Sequence, residues 1–229
     1  MSIAIMQPYF FPYFAYFQLM HTVDVFVIAD DLNYIKNGFI NKNSILLNNQ
    51  VFKISLQLKA ASQNKLINEI EVGENGSTLL ETIRRTYRKA PYFEDVFPMI
   101  EKILLSKEKN LSKYLGNSLF TIARYLDIPV KILYLSEIEK DNELRLDERI
   151  YDVCKKLNKM HYVNSIGGQS LYKKEMFLKH GIQLSFIQSN EIIYKQYNNV
   201  FIPNLSIIDV LMFNSKSHLN EMLNAYSLV

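Results

Sequence analysis

The sequence has no tryptophan, a single cysteine, seven glycines and six prolines. With Cys154 alone, no disulfide can form within the chain, and a reducing compartment is its natural setting. Glycine, proline and serine are nowhere dense enough to mark a linker, and no internal repeat or low-complexity tract divides the 229 residues. No apolar run reaches the roughly 18 residues of a spanning helix, so no integral membrane segment is expected. The first residues lack a basic stretch, and Gln7, Pro8 and Pro12 break the early apolar run, so a secretory signal is not expected either. Together these absences point to a cytoplasmic protein. The net charge of +3, from 26 Lys and Arg against 23 Asp and Glu, is too small for a nucleic-acid footprint on its own.

Hydrophobic residues make up 48% of the chain, enough for a sizeable core. Tyr and Phe are abundant, at 15 and 14, and tyrosines suit a polar-lined cleft as well as a core. Ser2 to Met6 is a short apolar run that predicts a strand. Tyr9 to His21 predicts a helix with Pro12 in its first turn, and Val23 to Ala29 a second, β-branched strand. A strand, helix and strand of this length form a βαβ unit and hence a parallel sheet. Ser44 to Leu47 and Val51 to Leu58 predict a hairpin joined by Asn48-Asn49, since Asn tolerates positive φ. Ser77 or Thr78, with Glu81, predicts a capped helix to about Lys89; Tyr92 to Lys107 and Asn110 to Leu126 predict two more. Strands at Val130 to Leu135, His161 to Asn164 and Gln183 to Ile187 alternate with helices at Arg145 to Leu157 and Leu171 to His180, the latter stopped by Gly181. Helices over Asn204 to Asn214 and Lys216 to Ala225 close the chain. The expectation is an α/β fold: a mostly parallel central sheet with an N-terminal βαβ unit, a β-hairpin and a largely helical insert. It is read as one domain over 1–229, with residues 76–127 as a helical subdomain.

In an open parallel sheet, ligands bind beyond the carboxyl ends of the strands. Gln7 and Asp30-Asp31 fall at that edge of two neighbouring predicted strands. Alternation along extended chain turns one of the two aspartates toward the cleft, as general base or orienting group, and the other away. Asp at a strand end also serves a plain turn. Ser165-Ile166-Gly167-Gly168-Gln169 joins a predicted strand to a helix, where converging backbone N–H groups suit a phosphate; a tight turn accounts for it as well. Arg84, Arg85, Arg88 and Lys89 give one helix two basic edges, suited to a diphosphate or an RNA backbone, or to a solvated helix end. Asp209 lies in an otherwise apolar helix and needs partners if buried. No histidines or cysteines have metal-ligand spacing, so no metal is expected, and the sequence names no cofactor. His161 is the histidine nearest the glycine turn and is a candidate base, although a lone histidine is usually structural.

The run MQPYFFPYFAYFQL, with VDVFVIADDLNYIKNGFINKN behind it, resembles the opening of the WbqC-like family. YRKAPYF from Tyr87, YVNSIGGQSLY from Tyr162 and LSIIDVLMF from Leu205 extend the resemblance to Phe213. Ala15 stands where the family usually has Gly, and Lys42 where it often has Arg, which loses a bidentate fork. The resemblance implies a bacterial, cytoplasmic role beside surface-polysaccharide and nucleotide-sugar genes, in O-antigen, lipopolysaccharide or capsule biosynthesis. The expected activity is a transferase adding a small acyl or aminoacyl group to a nucleotide-linked or lipid-linked amino sugar. The alternatives are a non-catalytic sugar-nucleotide-binding or adaptor protein, and a transferase that takes its donor from an aminoacyl-tRNA. The strand–loop–helix opening is also similar to nucleotidylyltransferase-type folds, but the equivalent turn, Tyr13-Phe14-Ala15-Tyr16, has no His for that chemistry. The candidate catalytic residues are therefore Asp30, Asp31 and His161. The candidate substrate-binding residues are Gln7, Tyr16, Tyr34, Lys36, Asn41, Asn43, Arg84, Tyr87, Asn164, Ser165, Gly167, Gly168, Gln169, Tyr172 and Gln196.

Overall fold

The computed structural model describes residues 1–141, 143–197 and 200–229. Along the chain, β1 (Ser2–Met6), α1 (Phe14–Thr22) and β2 (Val25–Ile28) form the predicted βαβ unit. The hairpin β3 (Lys42–Leu47) and β4 (Gln50–Ser55) follows, then the two-residue strands β5 (Leu58–Lys59) and β6 (Glu71–Val72). The helical insert is α2 (Gly76–Tyr87), α3 (Phe93–Leu104) and α4 (Leu111–Tyr125). Then come β7 (Lys131–Tyr134), α5 (Leu146–Lys156), β8 (His161–Ser165), α6 (Lys174–Lys179) and β9 (Gln183–Ser189). The chain closes with α7 (Ile207–Phe213), α8 (Lys216–Leu223) and β10 (Tyr226–Leu228).

Six strands make the central sheet in the order β10-β9-β8-β1-β2-β7, parallel throughout except for β10 against β9. β1 and β2 pack against helices on both faces, which is why they read as nearly continuous apolar runs. Ile3, Val25 and Val27 face a layer built from α5 and α6, where Ile150, Val153, Cys154 and Phe177 pack. Ala4, Phe26 and Ile28 face the opposite layer, formed by α1, the insert, α7 and α8. No helix among the described residues is long and apolar enough to cross a membrane.

Three local expectations change. The predicted helix from Tyr9 starts only at Phe14. The preceding turn is held open because Phe11 adopts a left-handed φ of 43°, costly for a bulky residue. Its carbonyl is fixed by the Asn43 amide at 2.6 Å and the Ser206 hydroxyl at 2.9 Å, both distant in sequence. The cap of α2 is Asn75, not Ser77 or Thr78, and its side chain instead ties Gln57 and Ser55; Glu81 pairs with Arg85 at 2.7 Å. The helix expected from Leu171 begins at Lys174. Asn48 and Asn49, both at positive φ (50° and 61°), make the hairpin turn as expected, and Gly181 at φ +74° stops α6.

Candidate functional site at the sheet switch point

The chain leaves β1 through α1 toward β2 on one face, while α5 and α6 flank β8 on the other face. Strand order therefore reverses between β1 and β8, and the crevice beyond their carboxyl ends is the expected place for a ligand. A cavity of about 270 Å³ lies there. Gln7 and Tyr9 enter it from the end of β1, Asn164 and Ser165 from the end of β8, and Gly167 and Gly168 from the following turn. Arg149, Ile150 and Val153 of α5 form one wall, with Tyr162, Leu171 and Tyr172 beside them. Larger grooves exist between α3 and α4 (about 630 Å³), away from the strand ends, and beside Tyr13 and Phe201 (about 660 Å³), where Ser189 and Asn190 mark the end of β9; neither lies between β1 and β8, where the strand order reverses.

Backbone geometry aims these groups. The buried Tyr16 hydroxyl donates to the Gln7 carbonyl at 2.9 Å, fixing the main chain where β1 ends. The Asn164 carboxamide oxygen accepts from the Ser165 N–H at 2.8 Å. A Cβ on Gly168 would lie 2.8 Å from the Asn164 amide nitrogen and would push that carboxamide aside, whereas a Cβ on Gly167 would meet nothing nearer than 4.0 Å. Tyr162 stacks on Phe177 at 5.4 Å, and Tyr172 packs edge-on against both. Burial raises the hydroxyl pKa of Tyr9, Tyr162 and Tyr172, so all three stay neutral donors and acceptors.

The two aspartates point to opposite sides, but neither lines the cavity, contrary to the expectation that one would face it. Asp30 is buried and accepts from the Ser112 hydroxyl (2.9 Å), the Ser136 N–H (3.0 Å) and the Ser136 hydroxyl (2.8 Å). It ties the end of β2 to α4 and to the turn after β7. Asp31 points the other way, to Lys140 Nζ at 2.7 Å and an Arg149 guanidinium nitrogen at 3.2 Å. Lys140 also donates to the Leu135 carbonyl. Asp31 thus reaches the cavity through Arg149.

The sequence profile of the WbqC-like protein family matches residues 7–221. The chain belongs to the WbqC-like family. A relative in Mycobacterium tuberculosis (strain ATCC 25618 / H37Rv), the uncharacterized protein Rv1507c, is 26% identical over 218 residues, covering 93% of each chain. No solved structure matches significantly.

In this WbqC-like chain the candidate residues fall into separate places. Gln7, Asn164, Ser165, Gly167, Gly168 and Tyr172 converge on the cavity, while Gln169 is exposed just past the turn. Tyr34, Lys36 and Asn41 line a shallow polar groove, where the Tyr34 hydroxyl donates to Asn41 at 2.8 Å. Asn43 holds the Phe10 and Phe11 carbonyls and so shapes the turn that follows Gln7. Tyr87 and Gln196 meet around Asp209, far along the chain, with Tyr194. Arg84 pairs with Glu101 at 3.6 Å and lies over Phe97, while Arg85, Arg88 and Lys89 edge a separate small groove. His161 begins β8 at the opposite edge of the sheet, bonded to Ser185 at 3.0 Å, with its pKa lowered chiefly by burial. Arg149 and Lys140 were not among the candidates. Arg149 carried a usable clue: it lies four residues before the buried Val153, on the apolar side of an amphipathic helix.

Proposed function

We propose that this WbqC-like protein is a transferase that adds a small acyl or aminoacyl group to a nucleotide-linked or lipid-linked amino sugar in O-antigen or capsule synthesis. The observation that carries this reading is the switch-point cavity, where amide, hydroxyl and guanidinium groups converge in a chain of this family. At about 270 Å³ it has room for roughly nine waters' worth of ligand, the scale of one sugar ring rather than a whole sugar nucleotide. The rest of the substrate then extends outward past Gly167 and the exposed Gln169. In the reaction the sugar amine attacks the acyl carbon of an activated donor. A C–N bond forms, the bond from that carbon to the donor's oxygen or sulfur breaks, and the amine proton leaves with the departing group. Asp31 serves by orienting Arg149, and Asp30 serves by fixing the strand end.

The test is a thermal-shift screen against UDP-, GDP-, CMP- and dTDP-linked amino sugars, followed by mass spectrometry of hits incubated with acyl donors. A ligand at about 100 times its dissociation constant adds roughly 2.7 kcal/mol. A selective shift and a donor-dependent mass gain are expected; a ligand that binds but is never modified refutes the transferase. That second outcome is the signature of a non-catalytic sugar-nucleotide-binding protein. The neutral tyrosines of the lining favour this alternative, since they give recognition without a proton shuttle near neutral pH.

A further inference from the structure

Two cations and one carboxylate meet behind the cavity wall. Lys140 is almost wholly buried, with 4% of its side chain exposed, and Arg149 is 17% exposed. Among the described residues, Asp31 is the only acidic partner of either cation. Asp30, next along the chain, turns to Ser112 and Ser136 and pairs with neither. The cluster therefore keeps one unit of positive charge out of bulk water, a costly state unless an anion completes it. Its hydrogen bonding is also incomplete: the buried Arg149 Nε has no acceptor, and the buried Asp31 Oδ1 has no donor. Lys140 is occupied by Asp31 and the Leu135 carbonyl, which leaves Arg149 as the cation that faces the cavity.

We propose that Arg149 is the anion-binding residue of the switch-point cavity, that it takes a phosphoryl group, and that Lys140 maintains its charge by sharing Asp31. The planar guanidinium fork suits phosphoryl oxygens, and it can swing toward the cavity while Asp31 and Lys140 remain paired. Ser165 and the Gly167-Gly168 turn lie across the cavity and supply small donors to the same group. The phosphoryl belongs either to a nucleotide diphosphate or to a lipid-linked sugar phosphate, and this subsite is common to both. The inference rests on the reading of the cavity as the substrate site.

The experiment is calorimetric titration of the full chain with inorganic pyrophosphate, and separately with acetate, at matched ionic strength. It compares wild type with Arg149→Gln, Arg149→Lys and Lys140→Met, each first checked for folding by circular dichroism. Pyrophosphate binding to wild type is expected, weakened about 10- to 100-fold in Arg149→Gln and less in Arg149→Lys. Lys140→Met is expected to weaken it about 3- to 10-fold without losing a contact, because Asp31 then neutralises Arg149. No binding of pyrophosphate, equal binding of acetate, or wild-type affinity in Arg149→Gln overturns the subsite. A sugar nucleotide that binds wild type and Arg149→Gln equally removes the subsite and spares the transferase. Pyrophosphate binding lost in Arg149→Gln, with neither a sugar nucleotide nor a lipid-linked sugar ever modified, leaves the subsite and removes the transferase. Retention on vesicles carrying an undecaprenyl-phosphate sugar, or shifts with soluble nucleotides, separates the two phosphoryl sources.

Discussion

Replacing Asp209 by Ala and by Asn should have quite different costs. The carboxylate is fully buried on α7, and its oxygens accept from the Tyr87 hydroxyl (2.8 Å), the Tyr194 hydroxyl (2.7 Å) and the Gln196 amide (2.8 Å). Gln196 keeps a second acceptor, the Ile202 carbonyl at 3.1 Å. The two tyrosine protons are therefore the groups that Asp209→Ala strands. Each stranded buried donor costs about 1–3 kcal/mol, so the total should be about 4 kcal/mol. At a urea slope of ~2 kcal/mol per molar, that is a midpoint shift of roughly 2 M. Asp209→Asn keeps an oxygen for two of the three donors and sheds the buried charge, so its cost should be about 1 kcal/mol. The two variants also differ with pH. Burial raises the Asp209 pKa, and the three hydrogen bonds only partly pull it back. A carboxyl whose folded-state pKa lies above its unfolded value contributes most below the unfolded value, and that contribution is lost as pH rises through the raised one. Asn cannot titrate, so Asp209→Asn should gain on wild type as pH rises across that window. Urea unfolding at a series of pH values measures both effects. Equal midpoints for the two variants, or a gap to wild type that ignores pH, would refute the reasoning.

Gly168→Ala should distort the cavity and cut ligand affinity, because the new methyl meets the Asn164 amide, while Gly167→Ala should bind as wild type; parallel titrations read the contrast. The Cys154 thiol is buried, and its pKa is pushed up to about 12, so it should resist a thiol reagent at pH 8 and react only on unfolding. Asn49→Gly should stabilise the hairpin by about 0.5–1 kcal/mol, since glycine takes the observed positive φ without strain; thermal unfolding checks it. Asp30→Asn should lower the melting temperature more than Arg149→Gln does, because three hydrogen bonds depend on the Asp30 carboxylate, one tying β2 to α4 and two tying it to the turn after β7.

The parallel sheet was legible because β1 and β2 are buried on both faces and so read as unbroken apolar runs. The Asn48-Asn49 turn was legible because its geometry is local. β10 was not: it has three residues, two of them exposed, and exists only because β9 offers an edge. The open turn before α1 was not legible either, since Asn43 and Ser206 hold Phe11 from distant positions that no local pattern connects to it. At the site, the strand-end rule brought Gln7 and Asn164 together with the glycine turn. It could not reveal that Asp31 is shared by Lys140 and Arg149, because that cluster joins three segments only through tertiary packing.

The order in which the sheet can assemble follows from where β1 sits. It is a central strand, yet its partner β8 lies more than a hundred residues after its partner β2. At roughly 5–20 residues per second, a ribosome takes on the order of 10–30 s to supply the second neighbour. Over that interval the edge of β1 that β8 will cover has no partner, and the outer edge of β2 has none until β7 is made, the kind of surface that recruits stray strands or a chaperone. The switch-point crevice does not exist until the β1 edge is closed, so a nascent chain acquires its binding site and its protection from aggregation in the same step.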